Sequence, residues 1–187
     1  MEPMEILKHE HRVIEKVLAA MEVMVDRAEH GGSVPPGFFL EAADFIAGFA
    51  DGCHHKKEED VLFAALESKG YSREAGPVAM LLAQHEDGRR YVRAMKEAVQ
   101  QWQAGDERAR QGVIDSARNY ISLLHDHIGK EDNVLFPMAM QTLSAAELSD
   151  IARAFERVEE QETGAGAHEQ YSRLAQSLAE QAQTRQG

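Results

Sequence analysis

The chain has 187 residues, enough for one well-filled core or for a core with an appended segment. Its 20 Lys and Arg against 32 Asp and Glu give a formal net charge of -12, a balance that repels phosphate backbones and excludes nucleic acid as an expected partner. Cys53 is the sole cysteine, so no intrachain disulfide forms; read as a small buried apolar residue, it fits a reducing compartment. No apolar run reaches bilayer length and the start, MEPMEILKHEHR, lacks the features of a signal peptide, so the expectation is a cytoplasmic protein with no membrane contact.

From Met4 to about Glu29 the apolar residues Leu7, Ile14, Leu18, Met21 and Val25 recur three and four apart, the period of one helix face, and His11 lies on that stripe. Glycines 31 and 32 and the pair Pro35-Pro36 break this helix. A second helix is predicted from Pro36 to about Lys69, carrying Phe38, Phe45, Phe49, Leu62 and Leu66. A third begins near Glu74 or Pro77 and runs through Leu81, Val92 and Val99 to Gly105. Asp106 is a candidate cap for a fourth, which carries Val113, Ala117, Tyr120, Leu124 and Leu135 and should end or kink at Pro137. Short links between long helices imply an all-α, antiparallel up-down-up-down four-helix bundle. Beyond Leu143, Ser144 and Glu147 form a capping box that opens a further helix; glycines 164 and 166 separate it from a last one over about Ala167 to Gln183. The expected division is a bundle over 1–143 and a C-terminal helical extension over 144–187, packed on it.

Two segments repeat: HHKKEEDVLFAAL from His54 and HIGKEDNVLFPMA from His127. Without a gap they pair His54 with His127, Glu58 with Glu131, and Val-Leu-Phe with itself. Each has a lone upstream histidine, His11 lying 43 residues before His54 and His85 lying 42 before His127. The chain reads as two copies of one helical hairpin. Helix positions four apart sit about 40° around and roughly 6 Å along the axis, so an imidazole and a carboxylate at that spacing reach one interior spot. A single such pair is common; two in matched hairpins are not. Buried imidazoles and carboxylates cost several kcal/mol unless paired or coordinated, and four histidines with two glutamates aimed at one core call for metal.

Together, His11, His54-x-x-x-Glu58, His85 and His127-x-x-x-Glu131 resemble the hemerythrin HHE cation-binding pattern across helices one to four. The resemblance implies a non-haem di-iron centre in which Glu58 and Glu131 bridge, His11 and His54 serve one ion, and His85 and His127 the other. Nitrogen and oxygen ligands without thiolate favour iron, with manganese second. Two ferric ions bring six positive charges and the glutamates cancel two, so an oxo or hydroxo bridge and small exogenous ligands complete the expectation.

The oxygen carriers of that family place another histidine four residues after the third-helix one, where this chain has Arg89. The replacement is expected from His55, next to His54, or from His168 in the tail; His55 is the favoured metal ligand. His9 and His125, about 200° from His11 and His127 on their helices, are expected at the surface, as are Lys56, Lys57 and Lys130. The Leu62-Phe63 and Leu135-Phe136 pairs read as core that also dries the site. Gly88 reads either as space beside a metal or as a close helix contact. The functional expectation is binding of dioxygen, peroxide or nitric oxide for storage, delivery or sensing. The alternative is an enzyme acting on peroxide or nitrogen oxides, or supporting repair of damaged iron centres.

Overall fold

The computed structural model describes residues 2–162 and 167–184, and among them every regular element is a helix. Helix α1 spans Pro3–Glu29. Helix α2 starts as an ordinary α-helix over Pro36–Phe45, widens into π-helix over Ile46–His55 and Glu58–Leu62, and closes as α-helix over Phe63–Glu67. Helix α3 covers Gly76–Gln103. Helix α4 covers Ala109–Lys130, takes one π turn at Glu131–Leu135 and ends over Phe136–Thr142. Helices α5 (Ala145–Glu162) and α6 (Ala167–Gln183) follow. The side chain of His168 lies outside the described residues. No described helix is long and apolar enough to cross a membrane.

Helices α1 to α4 form the antiparallel bundle, α3 packing on α4, α4 on α1, and α2 on α3. The first three end at glycines of positive φ, Gly31, Gly70 and Gly105; at the last of these φ is +100 and the Asp106 N–H reaches back to the Gln101 carbonyl at 3.1 Å. That closure needs a left-handed residue, which glycine adopts without a Cβ penalty. Asp106 receives the Arg108 N–H at 3.1 Å, and α4 begins just beyond, at Ala109. Pro137 does not end α4, which runs on to Thr142. A proline removes one N–H and crowds the carbonyl four residues back; the widened turn at Glu131–Leu135 lies just before it. There the Asn133 side-chain amide donates to the Gly129 carbonyl at 2.7 Å, an acceptor in the last regular turn before the widened stretch.

Two apolar clusters fill the bundle. One, from Ile14 to Val25 on α1, includes Phe38 to Ala50 on α2, Val92 to Trp102 on α3 and Val113 to Ile128 on α4. The other joins Met4 and Leu7 to Leu62, Phe63, Leu81, Leu135 and Phe136. On α1 the order Leu7, His11, Ile14 steps from one cluster to the other, so the histidine belongs to a polar layer held between dry layers. The C-terminal helices close the outside of both. Ile151 and Phe155 of α5 join the second cluster, and Ala175, Leu178 and Ala182 of α6 join the first. The Ser144–Glu147 capping box forms as expected, each residue receiving the other's N–H, at 2.9 and 3.3 Å. Gly48 on α2 is a docking point for α6, because a methyl there would collide with the Tyr171 hydroxyl.

Candidate metal centre

His11, His54, His55, Glu58, His85, His127 and Glu131 are all buried, none more than 3% exposed. Their ligating atoms fall into two groups, each within 4.8 Å: His11, His54, Glu58 and Glu131 in one, His55, Glu58, His85 and His127 in the other. The carboxylates tie the groups together. Glu58 has one oxygen 3.5 Å from His54 Nε2 and the other 3.4 Å from His85 Nε2. Glu131 repeats the arrangement, 3.2 Å from His11 Nε2 and 3.1 Å from His127 Nε2. Each glutamate opens a π turn of its helix. Widened turns of this kind recur at functional sites, where they re-aim side chains that a regular helix would not bring into register.

Outer partners fix which imidazole nitrogen faces inward. His11 Nδ1 donates to Asp132 at 2.8 Å, His54 Nδ1 to Glu10 at 2.9 Å, His85 Nδ1 to Glu59 at 2.7 Å and His127 Nδ1 to Gln84 at 3.1 Å. His55 Nδ1 lies 3.5 Å from Asp51. An acceptor on Nδ1 puts the proton there and leaves the Nε2 lone pair free for a metal. Burial presses His54 down to about 4 against the pull of Glu10, and also lowers His55 and His85, so these three are neutral and ready to ligate. Burial opposes the charge on His11 too, but Asp132 and Glu131 outweigh it and raise it to about 9. Glu58 is pushed well up by burial and then by the Glu131 charge beside it, whereas the imidazoles of His127 and His11 hold Glu131 ionised despite its burial.

These groups do not satisfy one another. His11 Nε2, His54 Nε2, both ring nitrogens of His55 and all four oxygens of Glu58 and Glu131 are buried without a hydrogen-bond partner among the described residues. Each such atom costs about 1–3 kcal/mol, more when charged, so the cluster is expensive unless a cation sits among its lone pairs. Imidazole nitrogens and carboxylate oxygens suit iron or manganese. Cys53 belongs to neither group; burial pushes its thiol up to about 11, in keeping with a small inert core residue.

A family model for the hemerythrin HHE cation binding domain matches residues 2–139. The chain belongs to that family. The chain is similar to an uncharacterized protein of Mycobacterium tuberculosis, 29% identical over 160 residues, which cover 86% of this chain and 62% of the relative. It is also similar to the iron-sulfur cluster repair protein YtfE of Citrobacter koseri, 26% identical over 145 residues, and of Escherichia coli, 26% over 143, in both cases 71% of this chain and 60% of the relative. The chain thus spans about three-fifths of the length of these relatives. No solved structure matches.

One expectation fails. Lys57 is not at the surface; it is fully buried, with Nζ 2.5 Å from Glu10 and 3.3 Å from Glu159 of α5. The reason lies in Glu10, which sequence reasoning passed over. A carboxylate buried behind His54 requires a cation, and its charge is kept below the ordinary carboxylate range, against burial, by His54 and Lys57. Lys130, the repeat counterpart of Lys57, stays half-exposed and pairs with Asp126, because the counterpart of Glu10 is the neutral Gln84. His9 and His125 do lie outside, His125 bonding Glu22 at 3.0 Å. The acceptors Glu59 and Asp132 were also missed, although the repeat pairs them with each other. Arg89, in the place of the usual histidine, donates to Asp51 at 2.8 Å and to Glu59 at 2.6 Å, and so braces the acceptors of both His55 and His85.

Proposed function

We propose that the protein holds two iron ions, bridged by Glu58 and Glu131, and binds a small ligand such as dioxygen, peroxide or nitric oxide. His11 and His54 would serve one ion, and His55, His85 and His127 the other. The observation that carries this reading is the convergence of unsatisfied buried nitrogens and oxygens on two groups that share a carboxylate. Bound iron supplies an electron-rich, ligand-accepting centre. The chain's own part is to orient the imidazoles through Glu10, Asp51, Glu59, Gln84 and Asp132, and to exclude bulk water with Phe63 and Phe136, both fully buried. Phe136 stacks on His11 with centroids 5.5 Å apart, and Phe63 on His85 at 5.9 Å. Residues 1–143 would carry this chemistry, with 144–187 as an extension clamped onto it, in a cytoplasmic setting.

A second reading has its own support. Similarity to iron-sulfur cluster repair proteins favours a role in rebuilding damaged iron centres, with the site as an iron donor or as an enzyme on nitrogen oxides. Anaerobic iron loading, metal analysis, and optical titration with oxygen, peroxide and nitric oxide test the first. Two irons and a reversible ligand spectrum are expected. One iron per fully loaded chain, or tight zinc without iron uptake, would refute it. Transfer of iron to a metal-depleted iron-sulfur protein, without reversible ligand binding, would favour the second.

A further inference from the structure

Helix α5 presents Ile151 and Phe155 to the second apolar cluster, and the next place on that face, four residues on, is Glu159. A carboxylate there ends an apolar stripe at the point where α5 lies against α1 and the π segments of α2. Its Oε2 is 3.3 Å from the buried Nζ of Lys57, which also donates to Glu10, and Glu10 in turn receives the His54 Nδ1 proton at 2.9 Å. A line of polar contacts therefore runs from a candidate iron ligand to the extension: His54, Glu10, Lys57, Glu159. Of these four only the last meets solvent, 37% exposed on the wall of a groove of about 730 Å³ between α1 and α5.

Neutrality does not explain Glu159. Lys57 and Glu10 already balance, and a second carboxylate leaves the trio with a net negative charge beside the core, a cost that an apolar residue continuing the stripe would avoid. Nor does the repeat require it: Lys130, the counterpart of Lys57, pairs in solvent with Asp126, and its half sets the neutral Gln84 behind the histidine. The second carboxylate instead changes how Lys57 is shared. An ammonium has three N–H donors and a fixed charge, so what is drawn to Glu159 is withdrawn from Glu10. Glu10 then keeps more of its charge for the His54 Nδ1 proton. A carboxylate that holds this proton more strongly makes Nε2 the better electron donor to a metal.

We propose that Glu159 is a positioning residue for the ion that His11 and His54 would serve, acting through Lys57 and Glu10 so that α5 sets the donor strength of His54. The proposal rests on the di-iron reading. It is tested by redox titration of the iron-loaded full chain at pH 7, and by the proton NMR signal of His54 Nδ1–H in the iron-free chain. In Glu159→Gln the ratio of ferric to ferrous affinity at one iron should fall about threefold, less than the roughly 10–100-fold for loss of a direct outer partner, raising its potential by about 30 mV. The His54 Nδ1 proton should move upfield, and Glu159→Asp should restore both signals. In the double variant Lys57→Met with Glu10→Gln, where the relay is neutral, adding Glu159→Gln should change neither. An unchanged potential or an unmoved proton, in a chain that loads two irons, would overturn the assignment alone; a lower thermal midpoint of the iron-free variant beside it would make Glu159 a strap for α5 only. Changes that persist in the double variant would also overturn it, since they would come from the seating of α5 or the bare charge rather than from the relay. A wild-type chain that takes up no iron would refute the di-iron reading and the proposal with it.

Discussion

Replacing Lys57 by Met keeps much of the side-chain volume but removes the cation buried against Glu10. At 2.5 Å and an effective dielectric near 20, the lost attraction is about 6–7 kcal/mol, an upper bound. The carboxylate has a less costly response, which is to take a proton. From its ordinary value of 4.5 this costs about 3.4 kcal/mol at pH 7. The expected loss is therefore about 3 kcal/mol, at the low end of the range for halving a buried ion pair. The sign of the pH dependence follows. In the native chain Glu10 is held below 4.5, so its contribution is present above that pH and is lost as pH falls through the lower folded value. In Lys57→Met the folded carboxylate is protonated, so the deficit against wild type is largest at pH 7 and shrinks towards pH 5. Urea unfolding of the iron-free chain, followed through its single tryptophan, Trp102, measures it. The double variant Lys57→Met with Glu10→Gln reproduces the neutral arrangement found at Gln84 and should recover most of the loss. A deficit below about 1 kcal/mol that does not change with pH, or a double variant no better than the single, would refute the argument.

Glu58→Ala or Glu131→Ala should abolish binding of both irons, while His9→Ala and His125→Ala retain them; metal analysis of the purified variants decides. His55→Ala should weaken one of the two irons and perturb the ferric spectrum, and Arg89→His should weaken it as well, by about tenfold, because Asp51 and Glu59 lose their shared cation. Gly48→Ala should cost about 1–3 kcal/mol and expose the α6 contact to proteolysis, since Tyr171 must leave its seat on α2. Lys69 and then Ser144 hold Glu147 down to about 2, so its contribution is present above pH 4.5 and is lost as pH falls towards 2; the unfolding difference between wild type and Glu147→Gln should vanish over that window.

The bundle was legible because its helices carry period-3.6 apolar stripes and glycine or proline stops, signals that are local in the chain. The inward-facing histidines and glutamates were legible because the hairpin is repeated, and two copies of one spacing stand out where one does not. The π turns were not legible: a regular helix already brings residues four apart onto one face, so nothing in the spacing demanded a wider turn. Lys57 was misread for a related reason. A charge run such as Lys56-Lys57-Glu58-Glu59-Asp60 resembles a solvated face, and only the partner on another helix, Glu10, decides which lysine is buried. Even so, the repeat held part of that information. Glu59 and Asp132 occupy one repeat position and each holds the histidine of a neighbouring helix, while Glu10 and Gln84, each just before a candidate ligand, hold the other pair.

The differences between the halves are therefore coupled, one substitution requiring another. Where one half has Gln84, its lysine is free to stay in solvent; where the other has Glu10, its lysine is drawn into the core. His55 follows the same rule. Its repeat counterpart is Ile128, a core residue that needs no partner, whereas an imidazole needs an acceptor for Nδ1. Asp51, one turn earlier, is the nearest carboxylate, 3.5 Å away, a charge contact longer than a good hydrogen bond, and it adds a half-buried carboxylate near Glu59. Two neighbouring carboxylates require a cation, and α3 presents one at Arg89. The arginine in the place of the family's usual histidine is thus the counter-charge that a histidine on α2 requires. The stacking of His55 on His85, with centroids 3.9 Å apart, shows the transferred imidazole seated against the group it would complete.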